Sequence, residues 1–388
     1  MRFALSDDQA AFRDAVRELL AKECPPAVVR AAWEAAPGQL DRGVWDSLAA
    51  MGVLDLLVPE ADGGLGLEET YLAPILEECG RVALPHPIVE TAMVAAPLLG
   101  AGAGMVSTDL GGPHVPCAHD ADVLLLHRGN ELAVMPSGAV ELEAVTTVDG
   151  GRRGARIVTS DTGSAGISSA AQAPLSNASG VGQPATPSTA TASLASNASP
   201  VGQPAAPSAT SEGLPSPDPR VGRAATANTA DRARLRPVRD ADVDLAFDRG
   251  ALGTAAVLVG LGQAMLDMTV GYVRERHQFG VPIGSFQAVK HHLADAALAL
   301  EFARPTVWRA AWSVAHDEPT RARDVSMAKA MASDAATLAG RKALQCHGAI
   351  GYTVEADLHL YLKRTWALAR SWGDAAFHTD RVATALGT

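Results

Sequence analysis

The stretch "RERHQFGVPIGSFQAVKHHLADA" (Arg274–Ala296) joins two helices through a tight turn. A long apolar helix ends in Arg274, Glu275 and Arg276, the chain turns through Phe279, Gly280 and Pro282, and a second helix begins near Phe286 and Gln287. The first helix reaches back towards Phe247. The second runs from Ser285 to about Ala315, with a kink expected at Pro305, which has no N–H to donate to the preceding turn. A third is expected from Asp317, with Pro319 near its first position, to about Gly348. Two shorter helices, near 354–369 and 375–386, close the chain. Four or five antiparallel helices with short connections describe a bundle, assigned to residues 248–388.

Upstream, Ser6 and Gln9 form an S-x-x-Q capping box ahead of Ala10, Phe12, Val16, Leu19 and Leu20, the pattern of an amphipathic helix. Segments around 44–51, 67–82 and 88–99 alternate with Gly/Pro connectors such as PEADGGLGLEE (59–69). Residues 1–112 therefore read as a helical domain. Between Cys117 and Thr159 the period falls to two. ADVLLLHRGNELAVM places two apolar runs around an Arg-Gly-Asn turn, and VELEAV and GARIVT alternate; these are strands. DVDLAF (242–247) reads as their continuation, so 113–247 is a small β domain. Its middle, about 160–231, is rich in Ser, Ala, Pro, Gly and Thr and repeats SNASGVGQPATPS as SNASPVGQPAAPS. Such a stretch buries too little apolar surface to offset its chain entropy and reads as a disordered insertion. The fold class is α+β, mostly α.

Composition narrows the function. A net charge of −11 and no dense Lys/Arg stripe argue against nucleic acid, whose phosphates need a positive footprint. The acidic start MRFALSDDQAAF is unlike an export signal, and even Ala251–Met268 carries Gln263 and Asp267 at helical periodicity, so no membrane span is expected. The expected location is the cytoplasm. Cys24, Cys79, Cys117 and Cys346 are scattered without a C-x-x-C pair, and the adjacent His291 and His292 point to different helix faces; no metal site is indicated.

A helical N-domain, a small β domain and a C-terminal four-helix bundle, with R-x-x-F-G and F-Q in the bundle's first hairpin, resemble the acyl-CoA dehydrogenase family. QCHGAIGYT (345–353) is similar to that family's Q-x-x-G-G-x-G-Y-T, with Ala349 at the second glycine, and LVPEADGGLGL (57–67) resembles its N-terminal loop. The resemblance implies FAD and an oligomer in which the ADP end of each FAD reaches into a neighbouring bundle. It assigns Arg276 to the pyrophosphate, a use suited to a forked, permanent cation. Phe279 lies in the same motif. Gln287 and Gln345 would hydrogen-bond the ADP moiety, and Gly348 and Gly351 would let backbone approach it.

The family's reaction needs a carboxylate base at the substrate Cα and a flavin ring at Cβ. Aligned on its motifs, this chain has Trp372 at one family base position and Gly250, thirteen residues before Gln263, at the other. Asp248 is two helical residues from Gly250, about 200° around the axis, and reads as a helix-start residue. Glu355 and Asp374 are solvated helix-end carboxylates. The loop and Trp-bearing strand that cradle the flavin ring in the family are expected to be absent between Gly111 and Ala246, where no aromatic residue occurs. The resemblance therefore implies the non-catalytic subunit of a heteromeric α2β2 acyl-CoA dehydrogenase, similar to those acting on steroid side-chain CoA thioesters in actinobacteria. Its catalytic partner would supply the glutamate, the ring pocket and most acyl-CoA contacts, and the FAD would be shared; the alternatives are a flavin-free structural or regulatory homologue, and a self-sufficient homomeric acyl-CoA dehydrogenase whose base would be a residue such as Glu355 or Asp374.

Overall fold

The capping box forms as its sequence predicts. Ser6 Oγ accepts from the Gln9 amide at 3.2 Å and Gln9 Oε1 accepts from the Ser6 amide at 2.9 Å, opening α1 (Asp7–Glu23). Helices α2 (Pro26–Glu34), α3 (Gly43–Ala50) and α4 (Glu69–Arg81) follow, then a π-helical stretch Val89–Ala95 that runs into α5 (Ala96–Leu99). The computed structural model describes residues 4–128, 131–158, 234–237 and 240–387; the expected insertion at about 160–231 lies outside the described residues.

The strands of the described residues come next: β1 (Val106–Thr108), β2 (Val115–Pro116), β3 (Val123–Arg128), β4 (Glu131–Pro136), β5 (Leu142–Val145), β6 (Gly154–Ile157) and β7 (Arg234–Pro237). One sheet has the order β1-β3-β4-β7, with β1 parallel to β3, and a second has β2-β6-β5. The β3–β4 hairpin pairs Val123 with Pro136 through Arg128 with Glu131. The apolar run of strand β3 is continuous because both of its faces are covered. Val123 and Leu125 join the main core. Leu124 and Leu126 join the smaller core of the β unit.

The bundle consists of α6 (Asp240–Glu275), the β8 (His277–Gln278) and β9 (Val281–Pro282) hairpin, then α7 (Gln287–Ala315), α8 (Arg321–His347), α9 (Leu358–Arg370) and α10 (Ala375–Leu386). Two approaches of α4 to α6 need glycine: a Cβ on Gly80 would lie 2.9 Å from the Val257 carbonyl carbon, and one on Gly260 equally close to that of Glu77. Helix α6 is long and apolar enough to cross a membrane, but 83% of its apolar window is buried within the protein. It is the central core helix.

Three elements depart from the sequence-based expectation. DVDLAF (242–247) is helical and forms the start of α6; no turn residue separates it from the apolar run that follows, so the helix propagates through it. Among the described residues, the last strand of the β unit is β7 instead. The β unit also begins earlier than Cys117, at Val106. Finally, α8 starts at Arg321 and not at Asp317, because Asp317 has φ +46°, outside the right-handed helical region.

Candidate functional site

The β8–β9 hairpin and the end of α8 share one end of the bundle. Tyr272 stacks on His347 with ring centroids 4.4 Å apart, and its hydroxyl donates to the His347 carbonyl at 3.4 Å. Tyr272, four residues before Arg276, thus packs on His347, which lies between Gln345 and Gly348 in sequence. The Arg276, Gln287 and Gln345 side chains are exposed and have no partner among the described residues. Phe279 is 93% exposed at φ +54° and touches only the edge of Phe286 among the aromatic rings. Gly348, at φ +63°, faces open space where a Cβ would stand. Gly351 differs from the expectation. It is buried, and a Cβ there would lie 3.0 Å from His347 Cβ and Leu344 Cδ1; the close approach it permits is to its own chain.

Trp372 and Gly250, the two positions expected to align with the family's base, meet in space. Trp372 is 1% exposed at φ +58°, and a Cβ on Gly250 would lie 2.5 Å from its Cζ3. A Cβ on Gly111 would lie 2.6 Å from its Cε2. The indole thus fills the volume of any side chain at either glycine. Phe247 covers one edge, with ring centroids 6.0 Å apart. The Trp372 amide donates to the Gly111 carbonyl at 2.7 Å, tying the turn after α9 to the loop after β1. Its Nε1 is buried and closes no hydrogen bond of ordinary geometry, although it lies beside the Glu90 carboxylate and favours its ionised form. Burial opposes ionisation of Glu90, but the Arg152 guanidinium more than offsets it, so the carboxyl sits below the ordinary carboxylate range.

Behind Trp372 stands a buried polar support. His378 Nε2 donates to the Trp372 carbonyl at 2.7 Å and Nδ1 accepts from Ser326 Oγ at 3.1 Å, a neutral ring whose pKa burial pushes down to about 4. Lys329, with no exposure, donates to the carbonyls of Ala369 at 3.1 Å and Gly373 at 3.0 Å; burial pushes it down to about 7. Asp248 is fully buried between Arg321 at 2.9 Å and Arg381 at 2.7 Å, so its carboxylate is engaged in tying α6 to α8 and α10. Asp374 caps α10, accepting from the Phe377 amide at 2.9 Å. Glu355 is exposed at the α8–α9 turn.

A cleft of about 640 Å³ opens between the β unit and α8–α9, with Ser371, the residue before Trp372, in its lining. Its walls include Thr108, Gly111 and Gly112, at the near edge of the region expected to lack a ring-binding loop. Sequence reasoning missed this wall and missed Lys329; the signal for the first was the Gly111-Gly112 pair, and an isolated Lys in an Ala-rich helix gives none for the second.

A family model described as "Acyl-CoA dehydrogenase, N-terminal domain" matches residues 6–104, and one described as "Acyl-CoA dehydrogenase, C-terminal domain" matches 242–387. The acyl-CoA dehydrogenase IpdE2 of Mycobacterium tuberculosis is 29% identical over 378 residues, covering 94% of this chain and 92% of that protein. Among solved structures, the ChsE4–ChsE5 complex from Mycobacterium tuberculosis superposes with a TM-score of 0.72 at 20% identity, covering 100% of this chain and 99% of that one. A variant of the Tcur3481–Tcur3483 steroid ACAD does so with a TM-score of 0.71 at 20% identity, covering 98% of each.

Proposed function

This chain belongs to the acyl-CoA dehydrogenase family, and we propose that within it the chain is the non-catalytic subunit of a cytoplasmic hetero-oligomer. Its catalytic partner carries the base and the flavin-ring pocket. The observation that carries this reading is Trp372: one indole occupies the space at both family base positions and, having no basic atom, cannot take a proton from a substrate Cα. Asp248 gives no substitute, because two guanidinium groups hold it.

The fit of FAD divides in two. At the bundle end, Arg276, Phe279, Gln287, Gln345 and Gly348 present an unpartnered cation, two free amides, an exposed ring and an open backbone, a donor set suited to the pyrophosphate and adenosine of a cofactor seated in a neighbouring subunit. Gly351 shapes that turn from within. At the other end, the floor against Gly111 and Gly250 is filled, so no substrate carbon can be presented there to a flavin ring. When bound, FAD supplies the acceptor for the hydride removed at the substrate Cβ. This chain's part is to grip the ADP end and to complete the partner's site. The similar structure named as a steroid ACAD favours a CoA thioester of a bulky ring system as substrate.

The test is Arg276→Ala in the chain co-purified with its catalytic partner. Assembly of the same mass is expected, with FAD lost or released on dilution. A complex that retains full flavin would mean that Arg276 is only an interface residue and that this chain is a structural homologue.

A further inference from the structure

A cavity of about 20 Å³ lies between α4, α6, α9 and the 84–89 segment that leads into the π-helical stretch. It shares only Arg152 with the 640 Å³ cleft. Two residues of its lining, His86 and Thr254, are 4% and 1% exposed. His86 Nδ1 and Thr254 Oγ1 are both buried, and neither has a hydrogen-bond partner among the described residues. Such atoms are nearly always paired in folded proteins, so the occupant of the cavity has to pair them. His86 fixes the sense of that pairing. Its Nε2 donates to the Asp41 carbonyl at 2.8 Å; a carbonyl can only accept, so Nε2 carries the proton. Burial holds the ring's pKa below the ordinary histidine value, so the ring is neutral and Nδ1 is an acceptor. The occupant must therefore donate to Nδ1, and it can give to or take from the Thr254 hydroxyl.

We propose that this cavity binds one water molecule, which bridges His86 Nδ1 to Thr254 Oγ1. A space of about 10–15 Å³ accommodates a water that has two or more polar partners, and the cavity meets both conditions. Arg152 and Arg364 also line it, but their guanidinium groups are neutralised by Glu90 and Asp149. Neither arginine calls for an anion, and the Nδ1 lone pair would repel one. The same two guanidinium groups oppose a cation. Most of the remaining lining, including Ile88, Val257 and Leu368, is apolar. A small neutral molecule that both donates and accepts is what fits. The bridge ties the segment entering the π-helical stretch to α6, where Thr254 stands one turn from Gly250 on the same helix face. The inference needs only residues of this chain and does not depend on FAD or on a catalytic partner.

The test is a high-resolution crystal structure of the full chain, with whatever partner it retains, from crystals grown in sodium bromide. One peak is expected in the cavity, within ~2.7–3.2 Å of both His86 Nδ1 and Thr254 Oγ1, with no anomalous signal at the bromine edge. In Thr254→Val, which removes the hydroxyl at nearly the same side-chain shape, the peak should be lost, because a water left with a single partner gives way to a dry cavity. In Thr254→Ser, which keeps the hydroxyl, the peak should remain. A cavity without density in the unmodified protein would overturn the proposal, whether or not the variants fold. An anomalous peak would also overturn it, by assigning the site to a halide, and so would a water that persists unchanged in Thr254→Val.

Discussion

If one indole fills the space at both Gly250 and Gly111, replacing Trp372 and replacing Gly250 must be coupled energetically. A buried indole removes on the order of 200 Å² from water, which at ~25 cal/mol per Å² amounts to about 5 kcal/mol. Burying Nε1 without an ordinary hydrogen bond offsets that by ~1–3 kcal/mol, so Trp372→Ala should cost about 3 kcal/mol. Gly250→Ala places a Cβ within 2.5 Å of the ring. Overpacking of that kind costs ~1–3 kcal/mol, against a gain of ~0.5–1 kcal/mol from removing a mid-helix glycine. In the unmodified protein Gly250→Ala is therefore expected to destabilise by about 1 kcal/mol. In the Trp372→Ala background the clash is gone, and the same change should stabilise by ~0.5–1 kcal/mol. Urea unfolding of the four proteins measures the cycle. A cost for Gly250→Ala that is the same in both backgrounds to within ~0.5 kcal/mol would refute the placement of the indole, and with it the argument that the base positions are closed.

Three further outcomes follow from the polar support. The pKa of Lys329 falls from 10.5 when unfolded to about 7 when folded, so above pH 7 the unfolded chain holds the proton more tightly; stability should rise from pH 7 to 8 at up to ~1.4 kcal/mol per unit, and Lys329→Met should flatten the slope. His378, lowered to about 4, is likewise a site where the unfolded chain binds the extra proton; stability should fall as pH drops from about 6.5 towards 4, and His378→Gln should remove that part of the acid sensitivity. Asp248→Asn breaks a pair of ion bridges around a fully buried carboxylate and should cost ~2–3 kcal/mol, below the usual ~3–5 for a buried pair because both arginines reach water, while the flavin content of the complex stays unchanged. A base at Asp248 would instead show as lost turnover at unchanged stability.

Most of the helical architecture was legible because its signals are local. The Ser6–Gln9 box places the start of α1, and the Phe279–Gly280 turn places the end of α6 and the start of α7, each within a few residues of where it lies. DVDLAF failed because six residues of alternation fit a helix as well as a strand, and the neighbouring run decides between them. The N-terminus of α8 failed because Pro319 and a backbone reversal at Asp317 compete as start signals, and only φ distinguishes them. At the site, sequence could identify Trp372 and Gly250 as unlike a base, one position at a time. That the same ring closes both is a contact between residues far apart along the chain, invisible to any local pattern. Lys329 is similar: nothing in RARDVSMAKAMASDAA distinguishes a buried lysine from a solvated one until the end of α9 and the turn into α10 supply the carbonyls it serves.

The central claim is that this chain holds only part of a cofactor site and needs a catalytic partner. The most direct measurement is the flavin absorbance per mole, together with the native mass, of the chain expressed alone and of the chain co-expressed with a catalytic dehydrogenase partner. A colourless lone chain and a yellow hetero-oligomer holding one FAD per pair of subunits are predicted. A lone chain that purifies as a yellow, active homomer would contradict the claim, and would require a base other than the positions of Trp372 and Gly250.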